Sequence, residues 1–157
     1  MDTLHDRATR DPALRTYRLQ DNLAAASEWG SLAHVDLWLE AVVEDLGVKK
    51  KLMAEAVARG LPKTAILAAN TSSLPVDAMA DAVPNPERVV GIHFFNPVAK
   101  MPLVEVVEGK DSDPQALKRG MAFVRKIDKL ALPVKSAPGF LVNAVLAPYM
   151  QEAMRCV

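Results

Sequence analysis

The chain has 157 residues, room for one domain but not for two ordinary ones, and half of it is apolar, the composition of a folded globular protein. Lys+Arg and Asp+Glu each number 19, and a formal charge of zero argues against nucleic acid as the main partner. The longest stretch free of charge, Ser136 to Gln151, is broken by Pro138 and Pro148 and falls short of the roughly 20 residues of a membrane span, so no span is expected; the single Cys156 leaves no internal disulfide and no Cys-rich zinc site.

Met1 to Gln20 mixes Arg7, Arg10, Arg15 and Arg18 with Asp2, Asp6 and Asp11. It has neither the apolar core of a secretory signal nor the acid-poor character of a transit peptide, so the expectation is a cytoplasmic protein. Residues 1–34 form an N-terminal segment of uncertain structure, in which Thr16 to Gln20 could be a strand. From residue 35 onward short apolar runs alternate with amphipathic stretches, the pattern of an α/β fold. Val35 to Val43 reads as a buried parallel strand. Asp45 stands at an N-cap, and Val48, Leu52, Met53, Ala56 and Val57 recur on one helical face until Gly60 and Pro62 stop the helix. Ala65 to Ala69 is a second strand, followed by the polar cluster Asn70-Thr71-Ser72-Ser73.

A short helix is expected over Pro75 to Ala82, a strand over Arg88 to Phe94 and another over Leu103 to Val107. Asp113-Pro114 opens a helix with Leu117, Met121, Val124 and Ile127 as its inner stripe. A strand near Leu130 to Lys135 precedes Pro138, which is expected to open a last helix, apolar on most of its circumference, running to Val157.

Glu44 with Lys49, Asn70 to Ser73, and His93 with Asn96 follow the first three strands. In an open parallel sheet, ligands bind beyond the carboxyl ends of the strands, so the three clusters would line one edge. Local rules offer plainer alternatives: solvated charges at a helix start for Glu44 and Lys49, a turn and N-cap for Asn70 to Ser73. His93 could likewise be a hydrogen-bonded core residue. Glu105 alters the balance. If the segment between Pro97 and Pro102 reverses about residue 99, His93 and Glu105 stand opposite each other on one face of an antiparallel pair. A carboxylate accepting from one imidazole nitrogen fixes the tautomer and makes the other a better base. The plainer alternative for Glu105 is a surface pair with Lys100 or Arg88. Asn143 lies in the last helix; it either patches the carbonyl of Ala144, left without a donor by Pro148, or reaches a ligand.

Five motifs then occur in a fixed order: Glu40-Ala-Val-Val-Glu-Asp-Leu46, Asn70-Thr-Ser-Ser-Leu74, His93-Phe-Phe-Asn-Pro97, Leu103-Val-Glu-Val106 and Pro138-Gly-Phe-Leu-Val-Asn143. Together they resemble the L-3-hydroxyacyl-CoA dehydrogenases of fatty-acid β-oxidation, above all the dehydrogenase part of bacterial multifunctional proteins. The likeness covers residues 35–157. The resemblance implies a partial Rossmann-type NAD-binding domain over 35–136, running into the start of a C-terminal helical dehydrogenase domain over 137–157. It implies NAD as cofactor and acyl-CoA as substrate. His93 would take the proton of the 3-hydroxyl and Glu105 would orient it. Ser72 and Asn143 would hold the acyl-CoA oxygen, and Asn96 and Ser72 would lie near the nicotinamide. Val42, Val43, Glu44 and Lys49 would match the segment touching the nicotinamide ribose and adjacent phosphate.

The departures are also informative. The nearest two glycines, Gly109 and Gly120, are 11 positions apart, so no G-x-G-x-x-G turn exists to hold a pyrophosphate. The acid expected on the adenosine ribose is missing. Trp38 stands in the strand run, Ser136 where Asp is usual, and Ala144 where Arg commonly follows the Asn. The expectation is therefore an enzyme by family, weak or inactive alone, with an exposed strand edge at 35–43 and an uncovered last helix. The alternative is a non-catalytic remnant or a fold-complementing module. Its partner would be a second copy or a β-oxidation subunit that carries the glycine-rich half.

Overall fold

The computed structural model describes residues 29–30 and 32–156. The strand expected at Thr16 to Gln20 lies outside the described residues, as does Val157. The described elements are β1 (Leu37–Glu40), α1 (Leu46–Ala58), β2 (Ile66–Ala69), α2 (Val76–Ala80), β3 (Val89–Phe94), β4 (Leu103–Glu108), α3 (Pro114–Lys126), β5 (Leu130–Lys135) and α4 (Val142–Arg155). The sheet order is β1-β2-β3-β4-β5. The first three strands are parallel, as a Rossmann-type sheet requires. The sheet is nevertheless mixed: β4 runs antiparallel to β3, and β5 follows β4 in parallel.

Side chains alternate between the two faces of a strand, and the two faces here differ in kind. Ile66, Ala68, Val90, Ile92, Val104 and Val106 form one face, sealed by Ala116 and Val124 of α3. Of the expected stripe of α3, Val124 is in the core and Leu117 and Met121 pack half-buried against it, whereas Ile127 is 40% exposed beyond the helix end; Ala116 and Gly120 are buried beside them. Small residues win the inner positions because the helix lies close to the strands; a Cβ on Gly120 would stand 3.2 Å from Val106. The opposite face holds Leu67, Val89, Gly91 and Val107, with Val76 and Met79 of α2 over it. A Cβ on Gly91 would meet Val107 Cβ at 2.7 Å, so glycine at this position permits the strand contact.

Other boundaries differ for local reasons. β1 spans only Leu37–Glu40 rather than 35–43, because Glu40 turns inward and the exposed Val42 and Val43 leave the sheet. The helix α1 starts as expected from Asp45, whose carboxylate accepts from Val48 N at 2.8 Å. Its phase is rotated: Lys49, Met53 and Ala56 face inward, and Val48 is 44% exposed. The last helix begins at Val142, not Pro138, and stops at Arg155. Residues 138–141 form a turn with Gly139 at φ 74 and Phe140 at φ 49. No residue of α4 is buried, and Val145, Leu146, Tyr149 and Met150 are exposed, in line with the expected uncovered helix. Ser136, where Asp was expected, accepts from Val76 N at 3.2 Å through its hydroxyl, at the start of α2. No helix among the described residues is long and apolar enough to cross a membrane.

Candidate active site at the carboxyl edge of the sheet

The reversal after β3 puts His93 directly opposite Glu105 in the β3–β4 ladder. Both side chains are buried, at 3% and 0% exposure. His93 Nδ1 lies 2.8 Å from Glu105 Oε2. The other carboxylate oxygen, Oε1, accepts from Leu141 N at 3.0 Å and Val142 N at 2.9 Å, the first amides of α4. Glu105 therefore joins the ring to the helix start, where a negative charge is favoured by the helix dipole. The surface pair with Lys100 or Arg88 is not formed. Arg88 is buried elsewhere and donates to the carbonyls of Pro62 and Ala65. Its burial holds the guanidinium below its ordinary pKa, against the opposing charge of Glu87.

On the outer side of the ring, His93 Nε2 is 3.1 Å from Ser72 Oγ. With the carboxylate accepting at Nδ1, that nitrogen carries the proton and Nε2 is left to accept from the serine hydroxyl. The ring is framed by Phe95, with centroids 4.5 Å apart, and by Phe140 edge-on at 5.6 Å. Phe140 occupies the left-handed region, unusual for a bulky residue. The aromatic contact and the two amides bonded to Glu105 hold it there.

Lys49 is not the solvated charge that local rules offered: it is fully buried. Its ammonium donates to Glu40 Oε1 at 2.7 Å, Glu40 Oε2 at 2.8 Å and the Asn70 carbonyl at 3.0 Å. The rotated phase of α1 turns it under the sheet edge, where a buried ammonium needs this pairing. Glu44 stands between this pair and solvent. Its Oε2 is 3.4 Å from Lys49 Nζ, with the side chain 40% exposed. Its Oε1 accepts from Thr71 Oγ1 at 2.5 Å, Ser72 N at 2.9 Å and Ser73 Oγ at 3.4 Å. Burial alone would raise the Glu44 pKa, but the hydrogen bonds from Thr71 and Ser72 and the Lys49 charge outweigh it and lower the pKa.

The structure thus brings Ser72, His93 and Glu105 together, and links Glu44 to them through Ser72. Val42, Val43 and Asn96 are exposed beyond the carboxyl ends of β1 and β3. Asn143 is half-buried in the first turn of α4. Among the described residues its amide makes no hydrogen bond, so it does not patch the Ala144 carbonyl. Sequence reasoning placed Thr71 in the polar cluster at this edge without giving it a role, and missed Glu40 and Phe140 as parts of the site. An acid inside an apolar strand was the available signal for Glu40.

Residues 4–137 match the family described as 3-hydroxyacyl-CoA dehydrogenase, NAD binding domain, so the likeness reaches back into the first 34 residues. A fatty acid oxidation complex subunit alpha from Vibrio campbellii is 42% identical over 131 residues, 83% of this chain and 18% of that protein. The subunit of the same description from Shewanella loihica is 42% identical over 142 residues, 88% of this chain and 20% of that one. The chain therefore spans a fifth or less of the length of these relatives. Among solved structures, 3-hydroxybutyryl-CoA dehydrogenase from Escherichia coli K12 aligns with TM-score 0.88 and 38% identity, over 97% of this chain and 32% of that one. FadB2 of M. tuberculosis aligns with TM-score 0.86 and 37% identity, over 96% of this chain and 54% of that one. The chain belongs to the family of NAD-binding domains of the 3-hydroxyacyl-CoA dehydrogenases.

Proposed function

We propose that this chain carries the proton-transfer part of an NAD-dependent oxidation of L-3-hydroxyacyl-CoA to 3-ketoacyl-CoA in fatty-acid β-oxidation. The observation that carries the reading is the buried His93–Glu105 pair with Ser72 at the open ring nitrogen. His93 Nε2 takes the proton of the substrate 3-hydroxyl, and Glu105 faces the positive charge the ring then gains. Ser72 and Asn143 hold the substrate oxygen, Asn143 through an amide that makes no hydrogen bond among the described residues. Phe95 and Phe140 keep water from the ring.

The nicotinamide end of NAD fits the carboxyl edge. Glu44 presents a half-exposed carboxylate there, suited to a ribose hydroxyl, with Val42, Val43, Ser72 and Asn96 exposed along the same end of the strands. Held at this edge by Glu44, Ser72 and Asn96, NAD would supply the hydride acceptor for C3 of the substrate. The sequence contains no G-x-G-x-x-G turn for the diphosphate. A second β-oxidation subunit that carries this turn is therefore part of the proposal; a homodimer partner would not supply it, and the exposed apolar side of α4 suits either partner. The same face favours the second reading, a non-catalytic module that completes another chain. We place the reaction in the cytoplasm, which suits a chain with one cysteine.

The test is NADH formation from 3-hydroxybutyryl-CoA, with the chain alone and mixed with a separately expressed glycine-rich half of a relative. Turnover in either mixture that is lost on His93→Gln supports the oxidation. Turnover only on mixing supports complementation, and no turnover in either sample sinks the oxidation and leaves a non-catalytic remnant.

A further inference from the structure

The hydroxyl that meets His93 belongs to an exposed loop residue, and an exposed serine does not hold one rotamer without help. The help comes from a carboxylate 28 positions earlier in the chain. Glu44 Oε1 gathers the Ser72 amide and the Thr71 hydroxyl at 2.9 and 2.5 Å. Thr71 is itself only 2% exposed, and its oxygen also accepts from Leu74 N at 2.9 Å and Ser73 N at 3.3 Å. One buried hydroxyl therefore closes the loop on itself and fastens it to Glu44. The far side of Glu44 is steadied by Lys49, which Glu40 and Asn70 fix in turn. The side-chain contact of this loop with the ring is Ser72 Oγ on His93 Nε2 at 3.1 Å, while Asn70 Oδ1 accepts from the neighbouring Phe94 N at 3.3 Å.

We propose that Thr71 and Glu44 are positioning residues that hold the Ser72 hydroxyl on His93 Nε2. This deepens the dehydrogenase reading and rests on it for its functional meaning: the substrate hydroxyl is received between two groups already set at hydrogen-bond distance. Glu44, expected to touch the cofactor ribose, then bears on both ends of the reaction. Its Oε1 sets the proton-accepting side through Thr71 and Ser72, and its Oε2 stands 3.4 Å from Lys49 Nζ. A preset pair of this kind lowers the entropy lost in reaching the reactive geometry.

The test reads the ring, not turnover. In the ¹⁵N-labelled 157-residue chain, the Nε2 resonance of His93 is assigned by its loss in His93→Gln, and the fold of each variant is checked by circular dichroism. Ser72→Ala removes the contact and is expected to shift the resonance. Thr71→Val, which keeps the shape and deletes the hydroxyl, and Glu44→Ala, which keeps the Thr71 turn, are expected to shift it in the same direction. Thr71→Ser restores the wild-type position, and adding Thr71→Val to Ser72→Ala moves it no further. A resonance that responds to Ser72→Ala but not to Glu44→Ala overturns the positioning unit and leaves the dehydrogenase reading untouched. No response to Ser72→Ala overturns it as well. Should Thr71→Val unfold, Glu44→Ala decides alone. Absence of NADH formation with these ring shifts intact removes the dehydrogenase reading and keeps the unit.

Discussion

The two faces of the sheet are made from alternate residues of the same strands, yet they are built on different physics. Under α3 the strands present Ile66, Ala68, Val90, Ile92, Val104 and Val106, an apolar layer whose stability comes from area removed from water. On the other face the same strands present Glu40, His93 and Glu105, all buried, and α1 adds Lys49. Buried charge costs free energy unless paired, and each of these groups is paired at 2.7–2.8 Å. That face also buries Leu67, Val89 and Val107, so the lesson is that both layers give the fold cohesion while the polar chemistry is confined to one.

Substitutions on the two faces should therefore fail in different ways. The largest effect is expected at the ring. In whichever mixture turns over, His93→Gln should lower the rate by roughly 10²–10⁴ and leave the unfolding midpoint nearly unchanged. Next is Lys49→Met, which strands the Glu40 carboxylate; urea unfolding should show a loss of about 3–5 kcal/mol, largely recovered when Glu40→Gln is added. On the apolar face, Ile92→Val should cost about 0.5–1.5 kcal/mol and leave the His93 resonance in place. A shifted resonance there would mean that the two layers are coupled.

Acid should discriminate more finely. The Glu44 pKa is lowered on folding, so its contribution is full above the ordinary carboxylate value of 4.5 and is lost as pH falls below it through the folded value. Stability measured across that range should fall less steeply for Glu44→Gln than for the parent chain. The smallest effect belongs to α4, where Val145→Ser, at a position 66% exposed, should change stability by no more than about 0.5 kcal/mol.

How much of this was legible in the sequence depends on what kind of signal each part leaves. The His93–Glu105 pairing is legible because Pro97 and Pro102 bound the reversal and leave few registers, and the ladder has the one expected. The short strands and the Asp45 and Asp113 caps are legible because they follow local rules. The inward turn of Lys49 is not, since helical periodicity scored by hydropathy sets a charged residue outside. Only the carboxylate of Glu40, brought near by tertiary packing, reverses that. The start of α4 was misplaced for a similar reason. Pro138 is a good first helical residue, but the amides of Leu141 and Val142 are drawn to Glu105, on a strand more than thirty residues earlier. The site residues legible by type were those that end strands; those that hold them in place were hidden in the core pattern.

Glu105 has one oxygen on the imidazole and the other on two backbone amides, and this double engagement restricts how the protein can vary. An aspartate there would withdraw from both partners at once, and a neutral amide would satisfy one at the expense of the other. Any lineage that retunes its proton acceptor through this carboxylate must simultaneously rebuild the junction with the following helix.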